Sequence, residues 1–248
     1  MAKIKNFFRD PLSIVLVVVI VVALALAGLI GGELYARNRA DTVVAGVVEC
    51  VVQDEASASF GVMPPFLIQH MSGHYTNIRI ETAGNQIREA KGMKVNLSIN
   101  DVRLEDTATS SGSVGSLVAN INWSAEGIRQ TIQDSIPLVG AFVTGVTTDP
   151  SAGTIELEGA LGSITAKPAV ADNGIALQVT ELTGLGFTLP RETVQPALDA
   201  FTSQLTQNYP MGIRADSVQV TDSGVVSQFS TQNAEIPKDR DDPCFAGL

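Results

Sequence analysis

The chain has 248 residues, a net charge near −10 at pH 7 and only 17% charged side chains. Lys3, Lys5, Arg9 and Asp10 hold three of the 16 basic and one of the 26 acidic residues, so the remainder is more acidic still, near −12. That balance excludes a nucleic-acid-binding surface, which is basic, and tight electrostatic docking onto anionic lipid headgroups.

The first predicted element is an uncharged apolar run from Pro11 to Gly32, preceded by Lys3, Lys5 and Arg9. About 20 apolar residues cross a bilayer core as a helix. The preceding positive charges hold the N-terminus in the cytoplasm, so the rest of the chain is expected outside the inner (cell) membrane, on a single-pass anchor. A cleaved signal peptide is the rival reading, because Ala23-Leu24-Ala25 and Ala25-Leu26-Ala27 resemble small-residue cleavage sites. The run exceeds a signal h-region of about 7–15 residues, which favours the uncleaved anchor. Lipid attachment just after the run is not expected, since the first cysteine is Cys50.

Val43, Val44, Val47, Val48, Val51 and Val52 then recur at helical spacing, predicting an amphipathic helix that joins the anchor to the domain. Ala56–Phe60 reads as a short strand. Pro64-Pro65 opens a helix over Phe66–Met71, which Gly73 is placed to end. Ile78 and Ile80 alternate with charged residues, as do Met93, Val95, Leu97 and Ile99 with polar ones, so both stretches read as half-buried strands. The apolar parity then shifts to Val102 and Leu104, which implies a bulge or break near Asn100-Asp101. Thr107–Ser113 is read as a polar loop and Leu117–Trp123 as a strand.

Ser124 is placed to cap a helix carrying Ile128 and Ile132, which ends before Pro137. Ile136–Thr148 has no charge and suits either a buried segment or an exposed contact loop. Ile155/Leu157, Ile164–Val170 and Ile175–Val179 predict antiparallel strands, the last two joined at Asp172-Asn173-Gly174. A helix starts near Thr193, with Pro196 in its first turn and an apolar stripe of Val194, Ala197, Leu198, Phe201 and Leu205. Ile213–Val220 and Val225–Phe229 pair through Asp222-Ser223-Gly224. The predicted organisation is a cytoplasmic N-terminus (1–10), a transmembrane helix (11–32), a joining helix (33–55), an exported domain (56–235) and an irregular tail (236–248). Strand runs with interspersed helices make the fold class α+β.

Cys50 and Cys244 are the only cysteines. In an oxidising compartment an even pair suits a disulfide, with two separate thiols as the alternative. Catalytic patterns are not found. His70 and His74 are i, i+4, the spacing of a shared metal on a helix, but Ser72-Gly73 falls between them and no acidic or cysteine cluster adjoins. They read as surface or edge histidines, and no metal or cofactor is expected. No nucleophile elbow or phosphate loop occurs, so no enzyme is expected.

Phe60-Gly61, Pro65-Phe66-Leu67 and Gly73, followed later by Leu189-Pro190, Tyr209-Pro210, Gly212-Ile213-Arg214 and Ser217 to Val226, resemble the motifs of the LmeA-like proteins of the actinobacterial cell envelope. The resemblance covers roughly residues 47–230. It implies a curved, mainly antiparallel sheet wrapped around helices, similar to tubular lipid-binding (TULIP) proteins. It also implies phospholipid binding in support of envelope lipid or lipoglycan biogenesis. Acyl chains, from phospholipid or another lipid, are then expected in an apolar groove lined by Phe66, Leu67, Met71, Leu138, Phe142, Leu198, Phe201 and Leu205. The expected partners are lipid, membrane and envelope-biogenesis proteins. The alternative is a non-catalytic scaffold of an envelope assembly complex, with Ile136–Thr148 facing its partner.

Overall fold

The computed structural model describes residues 11–135, 143–185, 187–188, 190–206, 210–238 and 243–245, without the side chains at 193, 197, 201, 204–206, 210 and 245. In chain order the elements are α1 (Pro11–Val52), β1 (Ala56–Phe60), α2 (Phe66–Ser72), β2 (His74–Thr82), β3 (Gln86–Ile87), β4 (Ala90–Lys91), β5 (Met93–Leu104) and β6 (Ser110–Ser124). They continue with α3 (Ala125–Ser135), β7 (Val143–Asp149), β8 (Thr154–Gly159), β9 (Gly162–Ala171), β10 (Gly174–Gly184), β11 (Phe187–Thr188), α4 (Gln195–Thr206), β12 (Arg214–Thr221) and β13 (Gly224–Pro237). The class is α+β, as expected, and every strand pair among the described residues is antiparallel.

The apolar run and the valine segment form one uninterrupted helix of 42 residues, roughly 63 Å long at the α-helical rise. Its most apolar stretch has a mean hydropathy of 3.2, is unburied, and is long and apolar enough to cross a membrane. The second half lies along β1. Ala36, Ala40 and Val44 form the row that packs into the core with Phe60, Phe66 and Tyr75. The expected valine stripe thus contributes Val44, and two alanines extend the row towards the N-terminus. Small side chains let helix and strand approach closely, which a search for bulky apolar residues overlooks.

Polar contacts fasten the same face. The Glu33 carboxylate accepts the Phe66 N–H at 2.5 Å and the Leu67 N–H at 2.9 Å, and pairs with Arg37 at 2.7 Å. These two amides are first-turn donors of α2 with no partner inside the helix. Asp41 Oδ1 accepts the Phe60 N–H at 3.0 Å. Cys50 is disulfide-bonded to Cys244, with Cα atoms 5.6 Å apart across 194 residues of sequence.

The strands form a six-stranded sheet in the order β1-β2-β5-β6-β13-β12, a five-stranded sheet in the order β11-β10-β9-β8-β7, and the small β3-β4 hairpin. The parity change at Asn100-Asp101 occurs within an unbroken β5, because Asp101 takes a left-handed φ of 54°. Ile99 and Val102 therefore reach the same core cluster. Opposite Asp101 lies Gly115, where an added Cβ would stand 2.8 Å from the Asp101 Cβ. The polar loop expected at Thr107–Ser113 is shorter than predicted. β6 starts at Ser110 and pairs with β13 through residues such as Gly112 and Ser113, whose small polar side chains give no apolar alternation to read.

A second core cluster joins Ile128 and Ile132 of α3 to Ile155 and Leu157 of β8 and Val220 and Val225 of β12 and β13. A third places Leu198 of α4 on Val179 and Leu182 of β10. Ser124 caps α3 as expected, its Oγ accepting the Gly127 N–H at 3.1 Å.

Two predictions follow from the way the helix is fastened. Replacing both cysteines by serine should lower stability by up to about 5 kcal/mol, the chain-entropy value for so long a closed loop, measured as a lowered urea midpoint. The second concerns acid. Hydrogen bonds from Leu67 and Phe66, with Arg37 alongside, hold the Glu33 pKa below its usual 4.5. A depressed carboxylate pKa stabilises the fold above the unfolded value and stops doing so as pH falls through the folded value. Hydrogen exchange at the Phe66 and Leu67 amides should be faster in Glu33→Gln than in the parent at pH 6, and the difference should shrink below about pH 4.5.

Candidate functional site

Between the two sheets lies a cavity of about 960 Å3. Small-molecule sites span about 300–1,000 Å3, so this one is at the large end. One wall comes from β5, β6 and β13 through Val95, Ile121, Trp123 and Phe229, and the facing wall from β8, β9 and β10 through Ile155, Leu157, Ala166 and Leu177. Strand alternation explains the chemistry: residues two apart, such as Ile121 and Trp123 or Ile155 and Leu157, share one face. Ile128 and Ile132 of α3 and Thr202 of α4 complete the wall.

Three polar side chains of this wall are engaged with the backbone. Thr131 Oγ1 donates to the Gly127 carbonyl and accepts the Lys91 N–H, each at 2.8 Å. Trp123 Nε1 donates to the Lys91 carbonyl at 2.8 Å, which leaves its ring as an apolar surface. Thr202 Oγ1 donates to the Leu198 carbonyl at 2.9 Å. The rim is polar and of mixed charge, with Gln53, Gln86, Arg88, Glu89, Lys91 and Asp134. Arg88 is held to the end of α1, its N–H donating to Val52 O at 2.7 Å and its Nε to Val51 O at 3.1 Å.

The space opens at its polar rim, so solvent or a ligand can enter it.

The wall depends on a close backbone crossing. The start of α3 meets the β4–β5 junction at Gly127 and Gly92, whose Cα-to-added-Cβ separation would be 2.7 Å, and a Cβ on Gly127 would lie 2.2 Å from the Lys91 carbonyl oxygen.

The side chains singled out in the sequence fall differently. Phe66 is 3% exposed and packs edge-on against Phe60, in the core beside α1. Leu67 is half-buried on α2 and Met71 is 87% exposed there. Leu198 is buried against β10. None of these four lines the cavity. Leu138 and Phe142 lie outside the described residues, as do the side chains of Phe201 and Leu205. Of the uncharged Ile136–Thr148 segment, the described part from Val143 belongs to β7, with Val143 buried in the second core cluster. The helix stripes drew attention because bulky residues recur along them. The lining comes instead from short alternating strands, and no local pattern tells which face of a strand looks across a gap.

The histidines are partnered separately. His70 Nδ1 is 2.9 Å from the Tyr75 hydroxyl, and His74 Nε2 is 2.5 Å from Asp101 Oδ1. Burial raises the Tyr75 pKa. Among the described residues no group of His, Cys, Asp and Glu is arranged to hold a metal ion.

A profile of the LmeA-like phospholipid-binding family matches residues 27–230, most of the chain. The chain belongs to this family. It is also similar to uncharacterised proteins of Mycobacterium tuberculosis and Mycobacterium bovis, 58% identical over 241 residues, which is 97% of this chain and 69% of each relative. No solved structure matches it. For an LmeA-like protein the apolar space between the sheets is the natural place to look for lipid. Gly127→Leu should displace α3, destabilise the protein by about 1–3 kcal/mol and reduce the cavity, read together from urea unfolding and from lipid retained on purification.

Proposed function

We propose that this protein is a membrane-anchored, extracytoplasmic phospholipid-binding protein that holds acyl chains in the cavity between its two sheets and serves envelope lipid or lipoglycan biogenesis. The observation that carries the reading is the large, apolar-walled cavity in a chain of the LmeA-like family. Each methylene withdrawn from water into such a wall contributes about 0.8 kcal/mol. A chain moving between a bilayer and the cavity exchanges one apolar surrounding for another, so uptake and release are nearly balanced. The mixed-charge rim suits a headgroup left at the surface.

On this reading the strands take the role first assigned to helix stripes: Ile121, Trp123, Ile155, Leu157 and Leu177 contact the acyl chain. Leu138 and Phe142, which follow α3 in sequence, and Phe201 and Leu205, which flank Thr202 on α4, stay in the proposal as further contacts. The two sheets with their helices form a tubular, TULIP-like container. The helix to Gly32 is the single-pass anchor, with Lys3, Lys5 and Arg9 keeping its start in the cytoplasm.

The test is native mass spectrometry and lipid extraction on the full chain purified from its host. Phospholipid should co-purify with the parent protein. Ala166 is 2% exposed and lines the wall, so Ala166→Phe should fill the cavity and lower bound phospholipid severalfold without loss of far-ultraviolet circular dichroism. Parent protein that carries no lipid and takes up none would sink the proposal, as would a folded Ala166→Phe variant with undiminished lipid.

A further inference from the structure

The segment Ala56–Ile78 contains no Asp, Glu, Lys or Arg, although the chain as a whole is strongly acidic. Within it, α2 has a buried side and an exposed apolar side. Phe66 and Gln69, three apart, face the core and are buried. Ile68 and Met71, also three apart, are exposed, and residues at this spacing share a helix face. Val62 and Met63, just before α2, are exposed as well, Met63 at 74%. Four large apolar side chains are thus exposed within residues 62–71, a density that scattered single exposures do not reach.

The position of this patch identifies what covers it. Glu33 holds the first turn of α2 through the Phe66 and Leu67 amides. Glu33 is also the first charged residue after the run Pro11–Gly32, whose length of roughly 33 Å as a helix matches the roughly 30 Å hydrocarbon core. If that run spans the bilayer, α2 is fixed at the depth where hydrocarbon gives way to headgroups. Tyr35, exposed at the same level, is a residue type that settles at this boundary.

We propose that α2 and the Val62–Pro65 turn form an interfacial foot that inserts into the headgroup layer of the bilayer crossed by α1. Val62, Met63, Ile68 and Met71 enter the acyl boundary, and the absence of charge in the segment lets an acidic protein approach an anionic surface there. The foot sets the tilt and height of the lipid-binding domain over the membrane. This rests on reading α1 as spanning.

The native cysteines are disulfide-bonded, so single cysteines can be introduced and labelled under non-reducing conditions. Met71→Cys, Leu24→Cys and Leu161→Cys in the full chain would each carry an NBD fluorophore. Leu24 lies within the run, and Leu161 is an exposed apolar residue of the β8–β9 turn. Each would be reconstituted into nanodiscs of phosphatidylcholine and phosphatidylglycerol with doxyl groups placed near the headgroup or deep in the acyl chain. The Met71 label should be quenched severalfold more than the Leu161 label by shallow doxyl, and the Leu24 label by deep doxyl. Quenching at Leu24 with the Met71 label no more quenched than that at Leu161 overturns the foot and leaves the span intact. A Leu24 label untouched by deep doxyl removes the span, and the foot with it.

Discussion

The architecture depends on how the long N-terminal helix is bound to the domain that follows it. A helix of this kind could end in a linker and leave its domain free. Here it is fastened at three heights: Glu33 to the amides of α2, Asp41 to the amide of Phe60, and Cys50 to Cys244. Between them the Ala36, Ala40 and Val44 row packs into the main core. Hydrogen bonds to a carboxylate are stronger than those between neutral groups, and the half-buried row adds apolar contact beside them. Helix and domain therefore behave as one body, and whatever fixes the helix also fixes the cavity.

That rigidity gives the cavity a defined place. Gln53, at the end of α1, lies on its rim, and Arg88 of the rim is hydrogen-bonded to Val51 and Val52. From Glu33 to Gln53 the helical rise amounts to roughly 30 Å. With α1 upright in a bilayer, this part of the rim stands well above the surface. A lipid leaving the membrane would travel along the body of the protein or arrive at the rim from another carrier. Either route suits a mainly apolar wall, since little desolvation opposes sliding.

Much of this was legible in the sequence, and the illegible part has a common cause. The apolar run, the Ser124 cap, the Asp172-Asn173-Gly174 turn and the parity change at Asp101 are local signals set by residues a few positions apart. They survive because tertiary contacts agree with them. The even cysteine count suited the disulfide. What could not be read was which strand faces meet across a space. Ile121 and Ile155 look like ordinary core alternation, and nothing within either strand records that the two sheets stand apart. The bulky stripes of α2 and α4 were more conspicuous, but Phe66 packs in the core beside α1 and Leu198 on β10, and neither lines the cavity.

Net charge is a constraint at a coarse scale. A net charge near −10 argues against electrostatic attachment to anionic lipid, yet charges act only over about 8 Å at physiological salt. At that range the composition of the nearest segment matters more than the total. The segment beside Glu33 is uncharged and apolar, while the acidic residues lie elsewhere along the chain. An acidic protein can then meet an anionic membrane through one neutral face, with the hydrophobic effect supplying the attraction and, where the apolar run spans the bilayer, the helix supplying proximity. The same division of labour separates the faces of α2: one side holds the domain to its helix, and the other is left for the surroundings of that helix.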